Sequence, residues 1–305
     1  MRDAFVRRLT ELARKDARLM IVTGDLGFGV LTDFAERFPN QYLNAGVAEQ
    51  NMTGVATGLA LEGRTVFTYS IANFSTLRCL EQIRNDAAYH DANVKVVAIG
   101  GGFSYGSLGM SHHATEDLAI MRSLPITVVA PGCEWEAEEA TSALTALPGT
   151  CYLRLDRSGA SSTRRGDETF VIGQARTVRD GSAVTVVTTG GILDTALRAA
   201  NQLEEEGITV RVVSMHTLKP FDVGSVLAAA RETGGIVTVE EHSVFGGLGS
   251  AVAEACLDSN IVPRFFARIA LRDGFSSIVG GQDYLRRHYG VDEQAIVTTI
   301  RQRIN

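Results

Sequence analysis

Short runs of β-branched and aliphatic residues alternate along this chain with stretches whose apolar positions recur every three or four residues. RLMIVT (18–23), RTVFTY (64–69), VKVVAIG (94–100), PITVVA (125–130) and TCYLRL (150–155) read as strands, and so do AVTVVTT (183–189), ITVRVVS (208–214), GIVTVEE (235–241) and RFFARIA (264–270). Between them CEWEAEEATSALTAL and ILDTALRAANQLEEEG carry helical spacing, the second closing at Gly207 as its C-cap. Strands that are apolar on both faces, alternating with helices, predict an α/β chain with two doubly wound, largely parallel sheets covered on both sides. One stretch breaks the pattern. RSGASSTRRGDETF (157–170) is small, polar and charged, and it predicts a first domain over 1–160, a linker over 161–169 and a second domain over 170–305.

Composition narrows the class. The chain has 305 residues, 45% of them hydrophobic and 21% charged, as expected of a soluble globular protein with a full core. A net charge of −6 offers no basic patch, so neither nucleic acid nor an anionic membrane is an expected partner. No apolar run reaches transmembrane length. The start, MRDAFVRRLTELARKD, is a charged amphipathic segment unlike a signal peptide. Cys79, Cys133, Cys151 and Cys256 show no paired spacing, and a cytoplasmic location is expected.

Four places could carry chemistry. In NAGVAEQNMTGVATGLALEG (44–63), Glu49 opens a small, apolar, glycine-rich helix, where an unpartnered buried carboxyl would cost several kcal/mol. Either it faces water as a helix-start carboxylate, or it holds a proton for a ligand. Met52, Val55, Ala56 and Leu59 form the expected packed stripe, with Gly54 and Gly58 admitting close backbone approach. Phe74 follows a strand and opens a helix, a usual ligand position in doubly wound sheets, although a lone phenylalanine there is more often core. Gly100, Gly101, Gly102, Gly106 and Gly109 make a loop that a ligand can approach closely, ending in His112 and His113. Neighbouring loop histidines point apart, which favours one of them in proton transfer over a shared metal. Arg154 and Arg157 close a strand, and Arg157 could take a phosphate or carboxylate, or a surface ion pair. TGDLGFG fails as a nucleotide-phosphate loop and as a diphosphate–magnesium motif, leaving Asp25 as a turn residue. His216 and His242 read as core or interface histidines.

Together these segments resemble the C-terminal half of transketolase. NAGVAEQNM is similar to the family's Ala-Glu-Gln-Asn-Met segment, and GMSHHATEDLAIMRSLP to the histidine segment that ends in Arg-Ser-Leu-Pro. SMHTLKPFD, VTVEEHSVFGGLGSAV and FARIALRDGF resemble three successive segments of the family's last domain. The likeness runs in order over nearly the whole chain. It implies a thiamine-diphosphate pyrimidine-binding domain followed by a transketolase C-terminal domain, without the preceding domain that binds the diphosphate and Mg2+. The chain therefore resembles the β subunit of a split enzyme, with a separate N-terminal diphosphate-binding subunit carrying the Mg2+ ligands, in an α2β2 assembly.

By the same resemblance Glu49 hydrogen-bonds the aminopyrimidine nitrogen and favours the imino tautomer that takes the thiazolium proton. Phe74 matches the aromatic stacked on the pyrimidine, His112 the substrate-facing histidine, and Arg157 the arginine for the substrate phosphate. The activity implied is transfer of a two-carbon ketol unit between sugar phosphates or related sugars. Two positions depart from the family. Leu108 stands where an aspartate recognises a donor hydroxyl, and Gly100 where another donor-binding histidine falls, so a non-standard donor is open. ANFSTLRCLEQI also resembles the β subunit of 2-oxoacid-decarboxylating thiamine enzymes, a second reading. A non-catalytic regulatory paralogue is a third, against which the retained Glu49 and His112 stand.

Overall fold

The structure is a computed structural model and describes residues 1–157, 159–161 and 163–304. Ser158 and Ser162, in the polar stretch 157–170, lie outside the described residues. Twelve strands among the described residues form two sheets: β1 (Leu19–Thr23), β2 (Tyr42–Asn44), β3 (Thr65–Ile71), β4 (Val94–Ile99), β5 (Thr127–Val129), β6 (Cys151–Leu155), β7 (Arg176–Arg179), β8 (Val184–Thr188), β9 (Val210–Ser214), β10 (Thr217–Lys219), β11 (Ile236–Ser243) and β12 (Phe266–Leu271). The first sheet runs β10-β5-β6-β4-β3-β1-β2 and the second β12-β11-β8-β9-β7. All neighbours pair in parallel except β10 with β5 and β7 with β9, each antiparallel at a sheet edge.

The central strands β1, β4, β6 and β8 are buried along their whole length, as strands covered on both faces must be. The N-terminal helix Arg2–Ala13 puts Ala4, Phe5 and Leu9 into a core shared with Ala137, Ala140 and Leu144 of the helix Glu134–Ala146. On the outside, Arg7 pairs with Glu138 at 2.5 Å. The helix Leu193–Glu204 covers the second sheet with Leu193, Ala196, Ala199, Ala200 and Leu203.

β10 comes from the second half of the chain yet forms an edge of the first sheet, with Thr217 opposite Val129. A division at the linker does not anticipate this strand. It is short and turns straight out of β9, so no periodicity announces it. All four cysteines are free and buried. Among the described residues no helix is long and apolar enough to cross a membrane.

Candidate active site at the carboxyl ends of the first sheet

The helix Glu49–Leu61 begins just beyond β2, and its buried face is Glu49, Met52, Thr53, Ala56, Thr57 and Ala60. These positions recur at three and four residues, so Glu49 belongs to the packed stripe itself. The stripe differs from the expected one. Val55 and Leu59 are only half-buried, and Thr53 and Thr57 replace them, their hydroxyls satisfied by the carbonyls of Glu49 and Thr53 at 3.1 and 2.9 Å. Gly54 and Gly58 are exposed, with nothing of this chain within 4 Å of where a Cβ would stand.

Glu49 is 3% exposed, and its Oε2 accepts a hydrogen bond from Arg78 Nη1 at 2.7 Å. The carboxyl is therefore not solvated; its partner is a cation from a neighbouring element. Arg78 lies on the tight turn Leu77–Cys79, directly after the short helix Ala72–Ser75 that carries Phe74 past the end of β3. The same guanidinium covers the Phe74 ring, with its carbon 4.4 Å from the ring centroid. His112 meets Phe74 at 5.0 Å in an edge-on contact. Asn73 ties the two segments together by donating its amide to the carbonyls of Ser111 and His113. Glu49, Phe74 and His112 are thus brought into one constellation, with Arg78 at its centre.

Arg157 stands apart from it. It is exposed, its guanidinium lies 5.4 Å from the Tyr105 ring, and its backbone N–H donates to Ser104 at 3.3 Å. Its neighbours are thus in the glycine-rich loop, well before His112 in the chain. The two histidines do point apart. His112 is half-buried with Nδ1 3.0 Å from Ser111 Oγ, and burial, followed by the charge of His113, lowers its pKa below the ordinary 6.5. A neutral imidazole at neutral pH follows. His113 is buried between Ser276 Oγ at 2.6 Å and the carbonyl of Gly106 at 3.2 Å, with the Phe103 ring edge-on at 5.2 Å.

The loop that carries His112 is held from the second half of the chain. Glu241 of β11 accepts from the backbone N–H of Phe103, and it is held in turn by Arg286 and by Gln282 at 2.9 Å. Arg154, read alongside Arg157, is 1% exposed and works from below. Its Nε lies 3.6 Å from Asp117 and 3.4 Å from Asp156, and its Nη2 donates to the carbonyl of Glu241 at 3.0 Å. A Cβ on Gly101 would overlap that guanidinium, so the loop can pass there only as glycine. At Gly100, φ is +86° and a Cβ would run into the Tyr105 ring. Tyr105 therefore fills the space beside Gly100, and Leu108, further along, is 54% exposed.

Other candidates resolve simply. Asp25 adopts φ +56° and exchanges hydrogen bonds with Asn44, as a turn residue does. His216 stacks on Phe170 at 4.2 Å and His242 accepts from the Ala119 N–H at 3.3 Å, both fully buried. Among the described residues no group of three or more His, Cys, Asp or Glu side chains could hold a metal ion.

Two family models match this chain: the transketolase pyrimidine-binding domain over residues 1–161 and the transketolase C-terminal domain over 173–296. The chain belongs to the transketolase family. Its relatives include an apulose-4-phosphate transketolase subunit of Phocaeicola vulgatus, 38% identical over 98% of this chain and 95% of that one. The 6-deoxy-6-sulfo-D-fructose transketolase subunit of a Clostridium species is also 38% identical, over 97% of this chain and 92% of its own. A solved structure described as a split gene transketolase in an inactive beta4 tetramer superposes with a TM-score of 0.88 at 36% identity, covering 99% of this chain and 97% of that one. β1–β6 accordingly lie in the transketolase pyrimidine-binding domain, and β7–β12, including β10 at the rim of the first sheet, in the transketolase C-terminal domain.

Proposed function

We propose that this chain is the β subunit of a two-chain, thiamine-diphosphate-dependent transketolase. It would transfer a two-carbon ketol unit between sugar phosphates or related sugars. One observation carries the reading: a flat group with N–H donors on its edge already stacks on Phe74 while donating to the buried Glu49. An aminopyrimidine ring needs those same two contacts, so the site's residues fit it.

When bound, thiamine supplies an acidic thiazolium carbon and an electron sink. Glu49 would then hold a proton at the pyrimidine ring nitrogen, sheltered from water by its place in the packed stripe. Phe74 would fix the ring plane. His112, neutral at working pH and edge-on to Phe74, would exchange a proton with a substrate oxygen. Arg157, an exposed cation beside Tyr105, would take the substrate phosphate. The ring of Tyr105 against Gly100 supports a donor recognised differently from an ordinary ketose phosphate.

The diphosphate and Mg2+ would be held by a separate, diphosphate-binding subunit. Phe28, Val47 and Leu77, exposed in the segments that bear or adjoin the site, suit burial under such a partner. Relatives named as a transketolase subunit and as a split gene transketolase support an arrangement of this kind. We place the assembly as α2β2.

The test is Glu49→Ala in the complex reconstituted with its diphosphate-binding chain. Turnover of a ketose-phosphate donor should fall by about 10²–10⁴-fold, with assembly by gel filtration unchanged. Wild-type turnover would refute the assignment.

A further inference from the structure

The contact between Arg78 and Glu49 raises a conflict with the role given to Glu49. The Arg78 guanidinium also covers the Phe74 ring, the platform for the pyrimidine. A cation and a pyrimidine cannot both fill one place between Glu49 and Phe74.

We propose that Arg78 is a displaceable placeholder, filling the pyrimidine's position in the cofactor-free subunit and swinging out as thiamine diphosphate enters. This deepens, and rests on, the reading of Glu49 and Phe74 as the pyrimidine site.

Three features make the exchange physically reasonable. The first is need. A subunit that waits for its partner with a carboxyl 3% exposed must neutralise it or bear the penalty of an unpaired buried charge. The second is low cost of release. The Arg78 side chain is 47% exposed, and its bond to Glu49 is its one hydrogen bond among the described residues. An ion pair whose cation is half in water is partly screened, and on release the guanidinium returns to solvent. The third is the backbone beneath it. Arg78 sits on a tight turn between the short helices Ala72–Ser75 and Leu80–Gln82, followed by the π-helical stretch Ile83–Ala88. Such irregular helical pieces recur where an element has to give.

The experiment is calorimetric titration of thiamine diphosphate, with Mg2+ present, into the assembled two-chain complex carrying wild-type, Arg78→Ala or Arg78→Lys subunit. Removing the placeholder should tighten cofactor binding about three- to tenfold, the weight of the contacts that no longer compete. Arg78→Lys, charged but not flat, should fall between the two. In thermal unfolding Arg78→Ala should lower the midpoint of the cofactor-free complex and leave that of the loaded complex as in wild type. Equal or weaker cofactor binding by Arg78→Ala overturns the proposal.

Glu49→Gln and Phe74→Ala, titrated in parallel, separate the two layers of the argument. If both weaken binding while Arg78→Ala fails to tighten it, the placeholder falls alone. If neither weakens binding, the pyrimidine site itself has been misplaced.

Discussion

Arg154→Met removes a guanidinium that is 1% exposed from between two carboxylates, Asp117 and Asp156, that are 1% and 3% exposed. Methionine keeps most of the aliphatic volume, so the change is one of charge and hydrogen bonding more than of packing. Asp117 keeps the Tyr152 hydroxyl at 2.6 Å and Asp156 keeps the Gly191 N–H at 2.5 Å, but both lose their central cation. Breaking a buried pair by deleting one partner costs about 3–5 kcal/mol, against about 5–15 kcal/mol for a whole domain. With a urea slope of about 3 kcal/mol/M, the midpoint should fall by roughly 1–1.7 M.

The pH dependence has a definite sign. Burial holds Asp156 above its ordinary 3.8 even though Arg154 pulls it down, and without Arg154 it rises further. A carboxyl whose folded pKa is raised is penalised at high pH, and the penalty is relieved as pH falls through that raised value toward the unfolded one. The deficit of the variant should therefore be larger at pH 8 than at pH 5. The carbonyl of Glu241 loses its Arg154 bond as well, so amides of the loop from Phe103 to His113 should exchange faster. A loss below about 1 kcal/mol at pH 8, or a deficit that grows on acidification, would refute this account of the cluster.

Because burial lowers His112, the acid limb of the kcat/KM profile of the reconstituted enzyme should lie below pH 6.5 and disappear in His112→Asn; a limb above that value would exclude His112 as its source. Gly100→Ala combines φ +86° with overlap on the Tyr105 ring and should cost about 1–3 kcal/mol in chemical unfolding. Adding Tyr105→Ala should restore the part of that loss owed to the overlap, and a double variant no more stable than the single one would contradict it. Ser276→Ala leaves His113 Nδ1 without its 2.6 Å partner and should lower stability by about 1–2 kcal/mol. Hydrogen exchange should show the effect over residues 106–113, and unchanged protection there would mean the second half does not steady the loop.

The layered fold was open to sequence reading because apolar runs covered on both faces leave a plain mark: RLMIVT, VKVVAIG and TCYLRL are all buried strands. The three-residue strands β2 and β10 and the half-exposed β7 carry no comparable run, since edge strands pair on one side only. In the Glu49 helix the direction of the stripe was misjudged at Val55 and Leu59. Threonines that bond back to the helix can be buried at little cost, and hydrophobicity alone does not see them. Arg154 and Arg157 look alike in the sequence, yet one lies inside a buried strand and the other beyond its end. Nothing in the sequence singles out Arg78, because a half-exposed arginine has no periodicity to betray a buried partner. The hold of Glu241 and Ser276 on the His112 loop spans more than a hundred residues of chain, and no local pattern encodes it.

The strand β10 has a consequence for how such chains can be rebuilt. A graft that swaps everything after the polar stretch at 161–169 brings along the strip that seals the rim of the first sheet. The receiving half would then zip against a foreign border, whose three residues must match Val128 and Val129 in reach and in twist. Modular exchange at the obvious seam is thus constrained by a stitch lying some fifty residues beyond it.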